Sequence, residues 1–173
     1  MEETKIMSPQ IKGLLIALLV IIIGIVGYYT DLAFTGWYSW IGNCVMFIAI
    51  IIACVHFANQ KQGYVTFGNV FLHGFKVTAV VAVILLLYSM LAMTVLFPDM
   101  KERIFEIQQS KMEERGLDGD KIDQAMTMMK KYFTVFMVMG VIFGTMIFGC
   151  IASLIGAAVA KKKPINPLNQ GGL

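Results

Sequence analysis

Hydrophobic and polar positions are segregated into blocks along this chain. Four apolar runs, 11–29, 37–57, 77–97 and 133–160, are separated by short polar joints and by one long polar segment, 98–132. Each run approaches or exceeds the about 20 residues that a helix needs to cross a hydrocarbon core. Lys12, at the edge of the first run, reads as part of the polar amino end. Beyond it the four runs contain no Asp, Glu, Lys or Arg. A helix that is apolar on every face over such a length has no place on the surface of a water-soluble domain. The pattern predicts an all-α fold, a polytopic membrane protein with four transmembrane helices, three before the polar segment and one after it.

The polar segment carries its own pattern. Pro98 ends the third run where its fixed φ and missing N–H suit the first turn of a new helix. No Gly or Pro interrupts 99–115. Gly116 then stands where a left-handed residue closes a helix, and Asp118 is placed to cap the next one. Ile104, Phe105, Gln108 and Met112 give a mostly apolar stripe at helical spacing; Ile122, Met126, Met129 and Phe133 give a second. The segment is therefore expected to form a helical hairpin outside the bilayer, between spans three and four. Ile104, Met112, Ile122, Met126 and Met129 are its candidate interaction residues.

The joints agree with four crossings. Tyr28, Tyr29, Trp37, Tyr38 and Trp40 crowd the first loop, as aromatic rings do at a membrane–water boundary. Thr66 is a candidate N-cap, and Phe67, Phe71 and Phe75 recur every four residues, predicting an interfacial helical turn before Lys76 opens the third span. In the fourth run Gly140, Gly144, Gly149, Ser153 and Gly156 trace a small-residue surface. Such residues let helix backbones approach in lipid, where no hydrophobic drive holds helices together. The first run is longer than a signal-peptide core and lacks a small-residue cleavage site, so it reads as an uncleaved span. Residues 1–163 then form a single membrane domain, and 164–173 a flexible tail.

Composition supports the class. The hydrophobic fraction is 58% and the mean hydropathy +0.74, well above the globular norm of about 45–50% apolar. Charge bears on orientation. The side holding both termini carries seven Lys and Arg, and the hairpin side also carries seven. The first loop has none, and Lys161, Lys162 and Lys163 abut the last span, which favours termini in the cytoplasm.

Chemistry is sparse. Cys44, Cys54 and Cys150 lie inside predicted spans with no C-x-x-C spacing. His56 and His73 are expected at span ends on one side, without a third ligand or an intramembrane acid beside them. No phosphate-cradling glycine loop, zincin motif or nucleophile elbow is present. The expectation is no catalytic residue, no cofactor and no metal. The bilayer is the expected partner, with a second copy or another envelope protein beside it, and no nucleic acid.

Three stretches carry a resemblance. Gly63-Tyr-Val-Thr-Phe-Gly68, the segment 114–131, and the glycine-rich last span ending in lysines resemble the domain-of-unknown-function family numbered 4199, small integral membrane proteins of bacteria. The resemblance implies a four-span topology in the bacterial cytoplasmic (inner) membrane and no established activity. Two functions stand beside it: a non-enzymatic accessory or interaction subunit of the cell envelope, or a small membrane carrier or channel. Ion pathways usually show ionisable residues inside the bundle. Spans offering only Ser, Thr, Cys and Asn43 favour the first.

Overall fold

The computed structural model describes residues 7–163; the expected flexible tail, 164–173, lies outside the described residues. Five α-helices follow one another: α1 Pro9–Tyr29, α2 Tyr38–Gln60, α3 Phe67–Leu91, α4 Met100–Glu114 and α5 Gly119–Val159. A 3-10 turn, Leu32–Phe34, joins α1 to α2, and a π-turn, Ala92–Leu96, extends α3. No strand occurs among the described residues. Four of the helices are long and apolar enough to cross a membrane.

Local chemistry sets the ends. Ser8 caps α1 by accepting from the Ile11 N–H, with Pro9 in the first turn. Thr66 caps α3 by accepting from Asn69 N–H at 3.2 Å. Gly116, at φ +70, closes the α4–α5 turn in the left-handed region, where a Cβ would be strained. Asp118 precedes α5 in extended conformation, without a side-chain capping bond.

Two boundaries differ from expectation. The helix expected to enter the bilayer at 77 begins at Phe67, so the phenylalanine turn and the span are one helix. The second hairpin helix and the fourth span are likewise a single helix of 41 residues. At about 1.5 Å per residue it runs roughly 60 Å, twice a hydrocarbon core of about 30 Å. Polarity changes near Phe133, but no Pro or turn residue is there to stop the helix.

The four long helices pack through small residues. Gly74 of α3 faces Ser153 of α5, where a Cβ on Gly74 would stand 2.6 Å from the Ser153 hydroxyl. Gly149 of α5 faces Thr78 of α3, where an added Cβ would stand 2.8 Å from the Thr78 Cβ. The two helices thus exchange a glycine and a hydroxyl residue four positions apart, in antiparallel register. Each hydroxyl bonds back to a carbonyl of its own helix: Thr78 to Gly74 and Ser153 to Gly149. No polar group is stranded by the close approach. Cys54 fills the gap from α2, against Gly74 and Gly156. Around this contact lie buried Ile16, Ala17, Met46, Ile50, Val70, Val77, Val81, Ala152 and Ala157. Outside it, Leu14, Leu18, Ile22, Ile48, Ile52, Val83, Leu87, Ile147 and Ile151 are exposed. A soluble bundle carries charge at such positions.

Candidate functional site

Lys12 is inside the bundle. The Ser8–Pro9 helix start places it in the first turn of α1, on the face that packs against α2 and α3. Its side chain is 5% exposed. The Lys12 ammonium donates to the Ala53 carbonyl of α2 at 3.2 Å, and its Nζ stands 3.2 Å from His73 Nε2 of α3. His73 is 6% exposed and stacks on Phe57 with ring centroids 4.0 Å apart. Lys12 lies 5.9 Å from the same Phe57 ring. An ammonium has only donors, so beside charged Lys12 the imidazole must accept at Nε2 and carry its proton at Nδ1.

The arrangement joins α1, α2 and α3 at one point. It holds a basic group with two acceptors for three donors and, among the described residues, no carboxylate in ion-pair range. Removing an ammonium from water without a counter-charge costs on the order of several kcal/mol. Ionisable residues buried in apolar spans mark functional positions. A cleft of about 310 Å³ opens beside the pair, lined by Ser8, Phe57, Asn69, Leu72, His73 and Lys76 among others.

Sequence reasoning placed His73 at a span end and judged it to lack partners. It missed Lys12, which it set in the polar amino end, and could not see Ala53 or Phe57 as companions. The signal for Lys12 was present: Ser8–Pro9 is a helix start, and a residue three positions beyond Pro9 is already helical.

The small-residue surface divides. Gly149, Ser153 and Gly156 lie in the packed interface. Gly140 and Gly144, expected to continue it, have no atom within 4 Å of where a Cβ would be. They line an open groove of about 390 Å³ together with Gly24, Asn43, Tyr88, Ser89 and Thr145. Leu85, Tyr88 and Ser89 of α3 stand across this groove, so within one chain the G-x-x-x-G pair faces open space and not a packed backbone.

In the polar segment Phe105, Ile122 and Met126 form a buried cluster, with Met112, Met129 and Phe133 packed on it. Phe105 and Phe133 meet edge to face at 5.1 Å. Of the interaction candidates only Ile104 lies outside this packing; Met112, Ile122, Met126 and Met129 are turned toward the opposite helix. At the base of α4, Arg103 bonds Asp31 at 2.8 Å and Asp99 at 3.3 Å. The Tyr28 hydroxyl donates to Asp99 at 2.7 Å. These bonds clasp α4 to the end of α1 and the first loop.

Among the described residues no group of three or more His, Cys, Asp or Glu is placed to hold a metal ion. No curated protein and no solved structure matches the chain. The family described as "Protein of unknown function (DUF4199)" matches residues 12–162, nearly the whole chain, and the protein belongs to that family.

Proposed function

We propose that the protein is a multi-pass, non-enzymatic accessory subunit of the bacterial cell envelope. Its bundle sits in the cytoplasmic membrane and holds the α4–α5 hairpin outside the bilayer, for contact with a second copy or another envelope protein. The observation that carries this reading is the continuity of α5. A helix twice the thickness of the hydrocarbon core, doubled by α4 and clasped at its base by Arg103, is a stiff arm rather than a loose connector. With Ile122 and Met126 spent on the arm's own core, its outward face is charged in both signs, including Lys101, Glu102, Glu106 and Lys130 around a cleft of about 540 Å³. The lysines 161–163 favour termini in the cytoplasm, which puts the arm on the opposite side.

The test replaces 101–130 with a Gly/Ser linker and measures rescue of the deletion strain's phenotype. The expected result is normal membrane insertion, because the apolar spans drive it, with rescue lost. Full rescue overturns the reading.

One observation favours a second reading, a small carrier. The argument against an ion or solute path was the absence of ionisable residues within the spans, and Lys12 and His73, buried between helices at one end of the bundle, weaken that argument. Under this reading His73→Gln abolishes rescue while the linker replacement does not.

A further inference from the structure

We infer that the cleft beside Lys12 and His73 is a binding site for a phosphate ester, carried by an anionic lipid of the leaflet nearest the termini. Two long helices enter the cleft by their amino-terminal ends: Ser8 and Pro9 of the α1 start, and Asn69 in the first turn of α3. Both present the positive ends of their dipoles to it. Lys76 lines it directly, and no carboxylate does so among the described residues.

The second observation is independent of the helix ends. His73 is 6% exposed and lines the cleft; its one side-chain hydrogen-bond partner among the described residues is Lys12, at Nε2. With Lys12 charged, the imidazole carries its proton at Nδ1 and offers that N–H as a donor at the wall of the cleft. Charged Lys12 behind it adds buried positive charge, with no acid in reach among the described residues. Depth identifies the ligand class. The apolar runs begin immediately after Lys12 and Lys76, so the cleft lies at the edge of the hydrocarbon, the level of lipid phosphates. Ser8 and Asn69 add polar groups suited to ester oxygens, and Leu72 and Phe57 give an apolar wall on which a glycerol backbone can rest. The inference rests on the helices crossing a membrane.

The test uses the full chain purified in dodecyl maltoside and stripped of lipid. It is mixed with equimolar dioleoyl-phosphatidylglycerol and dioleoyl-phosphatidylcholine and read by native mass spectrometry and thermal shift. Wild type retains phosphatidylglycerol in preference, with a raised Tm. Lys76→Gln lowers that retention about fivefold, the share of one lysine in attraction to anionic lipid, and His73→Gln lowers it as well. Lys130→Gln on the arm leaves it unchanged. Lys76 lies outside the buried core, so its variant stays folded where Lys12→Gln disturbs the bundle. Inorganic phosphate that raises the Tm of wild type but not of Lys76→Gln, without lipid preference, upholds the site with a soluble source. Equal retention by wild type and Lys76→Gln overturns the inference. Release of wild type from membranes by alkaline carbonate is a separate failure, that of the membrane reading itself.

Discussion

At Gly149 the α5 backbone lies so near Thr78 that a single added carbon meets the threonine side chain. Gly149→Leu therefore forces two helices apart in a core with no slack. Overpacking of this kind costs roughly 1–3 kcal/mol, and the variant should melt earlier in detergent than wild type. Gly144→Leu adds the same group to an open groove and should leave the melting of the isolated chain unchanged. Equal losses from both would mean that the groove is closed in solution by something beyond this chain. Lys12 teaches a second lesson at this scale. Its partners Ala53 and His73 lie 41 and 61 residues away in sequence. Residue order gives no hint of such a meeting, and a lysine at the margin of an apolar run reads as flanking charge until neighbouring helices close over it.

Among the elements, the α4–α5 hairpin has a core of its own, small and removable. Met126 is 6% exposed and packs with Phe105 and Ile122. Truncating a buried methionine costs about 2–5 kcal/mol. Met126→Ser with Met129→Ser should accordingly speed hydrogen exchange across 101–130 and leave exchange in α2 and α3 unchanged. Met128→Ser, at a position 59% exposed, is the control and should change neither. The clasp at the base acts differently. The Arg103 and Asp31 side chains are 46% and 75% exposed, and solvent-exposed pairs contribute at most about 1 kcal/mol. Arg103→Ala should hardly shift the melting temperature but should broaden distances between spin labels on the arm and on the first loop. Unchanged distance distributions would show that the continuity of α5 alone orients the arm.

Much of this element layout was legible. Thr66 and Gly116 announced a helix start and a helix end by their own chemistry, and Phe105 and Met112 of the first stripe meet Ile122, Met126, Met129 and Phe133 of the second, with Ile104 left outside. Helix continuity across Phe133 was not legible, because hydropathy reports where water stops and says nothing about where a helix stops. Only a breaker would have marked an end, and 120–139 contains none. The phenylalanine turn before Lys76 was parted from its span for the same reason. The face of a glycine was equally hidden: Gly140, Gly144 and Gly149 look alike in sequence, and only the crossing of α3 with α5 decides which of them meets a neighbour.

For the whole molecule, the account is one of sidedness. A bundle with an apolar exterior joins an arm at one end to a basic cleft at the other, lined by no acid among the described residues, with α5 running the length between them. The clasp of Asp31, Asp99 and Arg103 gathers at the arm end. Lys12, His73, Lys76 and Lys161 to Lys163 gather at the end that holds both termini. Thiol labelling across the membrane tests this arrangement most directly. Cys44, Cys54 and Cys150 are replaced by alanine, and single cysteines are introduced as Glu113→Cys on the arm and Lys161→Cys after α5. With a membrane-impermeant reagent, Glu113→Cys should react in intact spheroplasts and Lys161→Cys only after lysis. Reaction of both from the same side would contradict the crossing by α5, and the reverse pattern would contradict the cytoplasmic placement of the termini.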